Sequence, residues 1–199
     1  MPTMPAIVSP KSEFKRTFIP RSDSTLLTGE EVFALGDIGC FELVKGKIIR
    51  MPLTGHPHGY IEVNFAIELG NFVRQHKLGR VLAGEVGIYT ERNPDTVRGA
   101  DVAFISNERL SKVKSESYLD IAPELIVEVK SPSDRWNKIE EKLAEYFAID
   151  VKMVWVAEPK RKMVHVYHSL TDVKHLTKDE KLSGEEILPG FSVLVADFF

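Results

Sequence analysis

Hydrophobic residues recur at helical spacing in two parts of this chain. From about His58 to His76, one face of the segment is apolar at intervals of three or four residues, formed by Ile61, Phe65, Leu69 and Phe72. A second segment has the same spacing in Ile139, Leu143, Tyr146 and Phe147. It follows Ser131-Pro132-Ser133-Asp134, where a serine cap, a proline and an acid predict a helix start. Thr28, with Glu31 three residues later, predicts a capping box at the start of a shorter helix.

Short apolar runs between these segments predict β-strands. Two runs flank Lys45-Gly46 between positions 41 and 51, which predicts a β-hairpin. Further strands are predicted at 81–90, 101–106, 125–130, 153–157, 163–167 and 188–195. Because a strand, a helix and a strand follow one another from 125 to 157, a right-handed crossover should make those two strands parallel. The pattern therefore predicts an α/β fold, in which helices flank a mixed sheet after an N-terminal helix and β-hairpin.

The length and composition of the chain are those of a single globular domain. It has 199 residues, of which 43% are hydrophobic and 28% charged, so disordered, collagen-like and coiled-coil proteins are excluded. Residues 1–24 lack periodicity, and we expect a loose N-terminal arm before one domain at residues 25–199. The single cysteine, Cys40, precludes an intramolecular disulfide and favours a cytoplasmic location. Because no apolar run is long enough to span a membrane, we expect no membrane partner.

The charge balance constrains the partners of the protein. Lysines and arginines number 26 against 29 acidic residues, which gives a formal net charge of −3. A protein that coats nucleic acid by charge alone is normally basic. A polyanion would therefore bind this chain only at a local basic patch or through a bound metal ion.

Three charged residues stand out against the predicted strands. Glu128 and Lys130 are two residues apart in one run, so their side chains should project from the same face of an otherwise apolar strand. Burying such charges unpaired costs on the order of several kcal/mol. Asp101 opens another predicted strand and can converge on the same place. Two carboxylates beside a lysine suit Mg²⁺ and a phosphate substrate; the alternative is a structural Glu–Lys pair, with Asp101 as an acid at a turn.

Longer stretches of the sequence resemble a known family. Asp101, Glu128 and Lys130 match the D…E-x-K signature of the PD-(D/E)XK nuclease superfamily. More specific matches are Phe41-Glu-Leu-Val-Lys-Gly-Lys, His58 at a helix start, Arg98-Gly-Ala-Asp101-Val-Ala-Phe, Pro123-Glu-Leu-Ile-Val-Glu-Val-Lys-Ser-Pro-Ser-Asp134, Lys142 with Tyr146, Val154-Trp-Val and Leu188-Pro-Gly-Phe. Together they resemble the Uma-type branch of this superfamily over roughly residues 28–197. The resemblance implies a restriction-endonuclease-like mixed sheet flanked by helices.

This resemblance implies a metal-dependent DNA endonuclease. Asp101 and Glu128 would be ligands of Mg²⁺, for which Mn²⁺ would substitute, and the carbonyl of Val129 would be a third ligand. Lys130 would be the catalytic lysine that assists the attacking water. The family usually has a proline before the aspartate, where this chain has Ala100. That difference affects the stiffness of the backbone rather than the metal chemistry.

Four further residues are auxiliary candidates. They are His58 and Glu62 on the first long helix, Glu85 on the strand before Asp101, and Lys142 on the second long helix. Plain structural roles are the alternatives. A partly exposed helix flank explains Glu62 equally well, a cap or a hydrogen-bonded histidine explains His58, and a solvated side chain explains Lys142.

Functions from different classes fit these observations. The first is an endonuclease with DNA as its substrate, which we expect to act as a homodimer because two sites cut two strands most readily. The second is a non-catalytic nuclease-fold module that acts in nucleic-acid binding or assembly. A third is hydrolysis of another substrate, such as a glycoside, by paired carboxylates, although the neighbouring lysine favours a phosphate substrate.

Overall fold

A computed structural model describes residues 26–132 and 134–199, and the predicted arm at 1–24 lies outside these residues. The described residues form the helices α1 Gly29–Ala34, α2 His56–His76, α3 Asn107–Leu110 and α4 Trp136–Ala148, and a final 3₁₀ helix at Val195–Phe198. None of these helices is long and apolar enough to cross a lipid bilayer. Thr28 and Glu31 form the predicted capping box at the start of α1. That residues 25–199 make up a single domain stays a prediction.

The strands of the described ranges form a large sheet and a small one. They are β1 Phe41–Val44, β2 Lys47–Arg50, β3 Gly79–Glu91, β4 Thr96–Ser106, β5 Leu125–Val129, β6 Met153–Glu158, β7 Met163–Tyr167, β8 Val173–Leu176, β9 Lys181–Gly184 and β10 Leu188–Leu194. The large sheet has the order β2-β1-β4-β5-β6-β7-β8, with β3 also paired to β4, and β9 and β10 form the small sheet. β5 and β6 are parallel across α4, as predicted, and the other named pairs are antiparallel. The predicted α/β fold with a mixed sheet is therefore confirmed.

Helices pack on both faces of the large sheet, because successive strand residues point to opposite faces. On β5, Leu125, Val127 and Val129 belong to the core on the α2 side. Ile126 belongs to the core on the α4 side. The predicted helical faces close these cores, with Ile61, Phe65 and Leu69 on α2 and Ile139, Leu143 and Tyr146 on α4.

Two predicted boundaries near the candidate site are wrong. α4 begins at Trp136 rather than at Ser131, because Ser131 and Asp134 form a separate turn. The Ser131 N–H donates to Asp134 Oδ2 at 2.7 Å, and the Asp134 N–H donates to the Ser131 carbonyl at 3.0 Å. β4 extends five residues before Asp101, because these residues pair with β3 and β1. Asp101 therefore lies in the middle of a strand, and it neither opens a strand nor ends a turn.

The ladder between β4 and β5 stops beside the predicted catalytic acids. The register pairs Val102 with Val127, and its continuation would place Asp101 opposite Glu128. At this point, however, the N–H of Val129 donates to the side chain of Asp101. A carboxylate thus takes the place of a main-chain acceptor where the two strands part.

A β-bulge in β3 lies opposite the same position. The register of β3 against β4 shifts there, so that Gly84 and Glu85 together oppose Asp101. Both residues have positive φ, +89° at Gly84 and +58° at Glu85. This conformation is easily adopted by glycine, but it costs about 1 kcal/mol for a residue with a side chain. The bulge directs the side chain of Glu85 toward the place where β4 and β5 separate.

Candidate active site

Asp101 is buried at the centre of the candidate site, with 4% of its surface exposed. Its Oδ2 accepts the Val129 N–H at 2.6 Å. The same oxygen lies 3.4 Å from Nε2 of His58, on α2. These contacts stabilise a carboxylate whose burial would otherwise cost on the order of several kcal/mol.

Helix α2 supplies two further ligand-type side chains, one turn apart. Nδ1 of His58 lies 3.9 Å from Oε2 of Glu62, and one ligand atom from each of His58, Glu62 and Asp101 falls within 4.8 Å of the others. The Nδ1 atom is buried and has no hydrogen-bond partner among the residues described. Burial opposes protonation of His58, but the hydrogen bond with Asp101 and the surrounding carboxylate charges outweigh it and raise its pKa. A buried nitrogen without a partner, surrounded by acids, marks a place where a cation fits.

Glu62 also connects this cluster to the bulge of β3. Its Oε1 accepts the N–H of Gly84 at 3.0 Å. Burial raises the pKa of Glu62, and the charge of Asp101 acts in the same direction. Glu85 is exposed as a residue, but its carboxylate covers Gly99, where an added Cβ would lie 2.7 Å from Oε2. Burial of that end and the charge of Asp101 raise the pKa of Glu85 as well.

Glu128 is held by two residues of α4. Its Oε2 lies 2.7 Å from Nζ of Lys142, and its Oε1 accepts the hydroxyl proton of Tyr146 at 2.7 Å. Burial raises the pKa of Glu128 to about 7, against the opposing charge of Lys142. Burial opposes protonation of Lys142 too, but the charges of Glu128 and Glu42 outweigh it and raise the pKa of the lysine. Near neutral pH, Glu128 therefore changes its ionisation while Lys142 stays charged.

Lys142 belongs to an ion network that ties β1 and α4 to β4. Its Nζ donates to the carbonyl of Gly99 at 2.8 Å and lies 3.4 Å from Oε1 of Glu42. Arg98 of β4 pairs with Glu42 at 2.8 Å and with Glu145 at 2.6 Å. Since three elements each contribute a charge, the network positions Lys142 beside Glu128.

Lys130 lies outside this network. Its Nζ is 3.5 Å from the carbonyl of Ser131 and 5.8 Å from the ring centroid of Trp136. Within the ranges that the structure describes, the lysine paired with Glu128 is Lys142. Six of the predicted site residues therefore lie close together, whereas the side chain of Lys130 points away toward Trp136. The six are His58, Glu62, Glu85, Asp101, Glu128 and Lys142.

Sequence reasoning assigned Tyr146 to the buried face of α4 and missed its contact with Glu128. A usable signal was present, because the hydroxyl of a buried tyrosine normally needs a hydrogen-bond partner. Tyr146 lies one helical turn after Lys142, so both side chains reach the same carboxylate. The pair at positions 142 and 146 therefore marks where α4 crosses Glu128.

A cleft of about 500 Å³ opens at these residues. The loop between β2 and α2 forms one wall, and the turn before α4 forms another. The predicted site residues in its lining are His58, Glu85, Asp101, Glu128, Val129 and Lys142. Ligand clefts commonly enclose about 300–1,000 Å³, so the cleft is large enough to admit part of a substrate.

The comparisons with known proteins agree with this architecture. The family Uma2, described as “putative restriction endonuclease”, matches residues 30–196. This chain belongs to the Uma2 family. A search of curated proteins gives no match.

A solved structure with the same fold is similar to this Uma2 protein. It is the crystal structure of “a putative nuclease belonging to DUF820” from Anabaena variabilis. The TM-score is 0.72 at 18% sequence identity, over 87% of this chain and 97% of that one. At this identity the likeness concerns the fold, and the nuclease fold implied by the sequence resemblance is confirmed.

Proposed function

We propose that this Uma2 protein is a divalent-metal-dependent endonuclease that hydrolyses phosphodiester bonds of DNA in the cleft beside Asp101 and Glu128. One observation carries the proposal. Asp101 is buried where β4 and β5 part, and His58 and Glu62 stand at ligand spacing from it. The description of the family as restriction endonucleases supports DNA as the substrate.

The donor atoms of the site fit a divalent cation. Asp101, Glu128 and the carbonyl of Val129 would hold it, as the sequence resemblance implies. His58 and Glu62, whose ligand atoms lie close to Asp101, would add two further ligands. Oxygen ligands suit Mg²⁺, and an imidazole nitrogen also favours transition metals. We therefore propose Mg²⁺ as the cofactor, with Mn²⁺ as a substitute. A bound cation of this kind supplies Lewis-acid polarisation of the phosphoryl group and acidifies water.

The two lysines would take different parts in the reaction. Lys142 lies in the wall of the cleft, where its ammonium would offset negative charge that develops on the phosphate. Lys130, the lysine of the sequence signature, would assist the attacking water from the edge of the cleft. Tyr146 would keep Glu128 oriented by its hydrogen bond.

We further propose that the protein acts as a homodimer, because two clefts would cut both strands of a duplex in one encounter. Light scattering at working concentration tests this assembly. A dimeric mass is expected, and a monomeric mass would contradict it. The cytoplasmic location favoured by the single cysteine stays a prediction.

Cleavage of supercoiled plasmid DNA in Mg²⁺, Mn²⁺ or EDTA tests the proposed activity. Asp101→Asn and Glu128→Gln are compared with the wild type, because asparagine keeps an oxygen that can accept the Val129 N–H. The control is Asp172→Asn, which removes an exposed acid between β7 and β8. We expect metal-dependent cutting by the wild type and the control, and a loss of about 100-fold or more in both site variants. Circular dichroism verifies that the variants fold.

Wild-type rates in Asp101→Asn would remove the proposed site. The second candidate function, a non-catalytic nuclease-fold module, is favoured by the observation that both oxygens of Glu128 already have partners in the protein. An assembly role needs no metal. If no DNA form is cut and calorimetry detects no divalent cation bound, the module is the better account.

A further inference from the structure

Two histidines on neighbouring strands lie together outside the candidate active site. β7 and β8 are antiparallel, and their register pairs His165 directly with His175. The Nδ1 atoms of the two rings are 2.6 Å apart. His165 is buried, whereas His175 is exposed on β8, the last strand of the large sheet.

Glu158 contacts the ring nitrogen of His165 that faces away from His175. Its Oε2 lies 3.3 Å from Nε2 of His165 and 3.5 Å from the guanidinium of Arg161. A carboxylate accepts hydrogen bonds, so this contact favours the tautomer of His165 in which Nε2 carries the proton and Nδ1 keeps its lone pair. A carboxylate behind the far nitrogen is the arrangement that orients histidine ligands in metal sites.

The ring of His165 is also held in position and kept neutral. Trp136 packs against it edge to face, with ring centroids 5.1 Å apart. Burial lowers the pKa of His165, and the neighbouring His175 acts in the same direction against the charge of Glu158. A neutral imidazole is the form that coordinates metals. The exposure of His175 leaves room for water at the same place.

We propose that His165 and His175 form a second metal site, which binds a transition-metal ion such as Zn²⁺ or Cu²⁺ through the two Nδ1 atoms. Imidazole nitrogens select these ions over Mg²⁺, and water fills the remaining positions. Without metal, the Nδ1–H of His175 donates to Nδ1 of His165. On binding, the exposed ring of His175 turns so that the Nδ1 atoms separate from 2.6 Å to about 3.3 Å, the spacing that two Zn–N bonds of about 2.0 Å require at a tetrahedral angle. The proton moves to Nε2 of His175, and no electron is transferred. The site shares no ligand with the acid-rich cleft.

Calorimetric titration with Zn²⁺ in saturating Mg²⁺ tests the site. The titration is done in the Asp101→Asn background, which removes a donor of the cleft. His175→Ala is compared with His168→Ala, a control that removes another histidine close to β7. We expect the control to bind Zn²⁺ as the parent does, and His175→Ala to bind it about 10-fold more weakly or worse. Because His175 is exposed, its loss should leave the fold intact.

Two further measurements keep the test decisive. Electron paramagnetic resonance of bound Cu²⁺ should show two imidazole nitrogens in the parent and fewer in His175→Ala. Glu158→Gln keeps both ligands, and it should weaken Zn²⁺ binding by about 10-fold through the lost support of His165. Equal Zn²⁺ affinity in the parent and His175→Ala, or a single nitrogen in the parent spectrum, would overturn the proposal.

Discussion

Nζ of Lys142 lies 2.7 Å from the carboxylate of Glu128, across the contact between α4 and β5. Lys130 is only two residues from Glu128 in the chain, yet its ammonium lies toward Trp136. The lysine nearest in sequence is therefore not the lysine nearest in space. The cation that accompanies this acid comes from the helix that follows it.

Replacing Lys142 by methionine should destabilise the protein by about 3–5 kcal/mol, because Glu128 would stay buried without its cation. Lys138→Met removes an exposed lysine from the same helix and should cost little. Urea unfolding measures both free energies. The double variant Lys142→Met with Glu128→Met should recover much of the loss, since it removes both buried charges. An equal cost for the two lysine variants would show that the buried pair contributes nothing.

Tyr146→Phe should cost about 1–2 kcal/mol, because it keeps the ring in the core but removes a hydrogen bond to a carboxylate. The change should also raise the pKa of Glu128 further, since the lost bond favours the charged form. Tyr60→Phe, at an exposed position on α2, is the matched control. Unfolding in urea and carboxyl-carbon NMR measure the two effects. Unchanged values in both experiments would mean that the hydroxyl does not support Glu128.

The contribution of Glu128 to stability should fall as pH rises from 4.5 to about 7. The unfolded carboxyl releases its proton near its ordinary pKa of 4.5, whereas the folded one keeps it until about pH 7. Between these two pH values the folded state binds more protons than the unfolded state. The stabilisation that the protonated Glu128 provides is therefore complete below pH 4.5 and is lost as the pH rises through about 7. The difference in unfolding free energy between the wild type and Glu128→Gln, followed across this range, isolates the effect. A constant difference would contradict the raised pKa.

Glu62→Ala should loosen the bulge of β3 and weaken metal binding together. It removes the acceptor of the exposed Gly84 N–H, at a cost of about 0.5–1.5 kcal/mol. Mn²⁺ should raise the Tm of the wild type, because a ligand that binds only the folded state stabilises it. The increase should be smaller in Glu62→Ala than in Glu68→Ala, a control on the same helix. Equal increases would exclude Glu62 as a ligand.

Features that depend on neighbouring positions were predicted well from the sequence. Helical spacing predicted the faces of α2 and α4 that pack on the sheet, and the matched motifs selected Asp101, which lines the same cleft as Glu128. The partner of Glu128 was harder to predict, because it depends on how α4 crosses β5. Spacing suggested Lys130, but the turn at Ser131 and Asp134 delays the start of α4 and brings Lys142 over the acid.

The bulge at Gly84 and Glu85 could not be predicted for a related reason. β3 has 13 residues and β4 has 11, and their ladder is paired near both ends. The extra residues of β3 must therefore be accommodated within the pairing, and bulges accommodate them. The position of the bulge depends on how β3 and β4 are aligned with each other. The sequence of one strand alone does not reveal that alignment.

The hydrogen bond from Val129 to Asp101 makes one backbone amide an internal reporter of the cleft. While the carboxylate accepts this N–H, the amide proton is protected from exchange with solvent. Any molecule that draws the carboxylate toward itself weakens that bond. The NMR chemical shift and the exchange rate of the Val129 amide would then change before any product forms. Occupancy of the cleft can therefore be followed at a single resonance, without adding a probe to the protein.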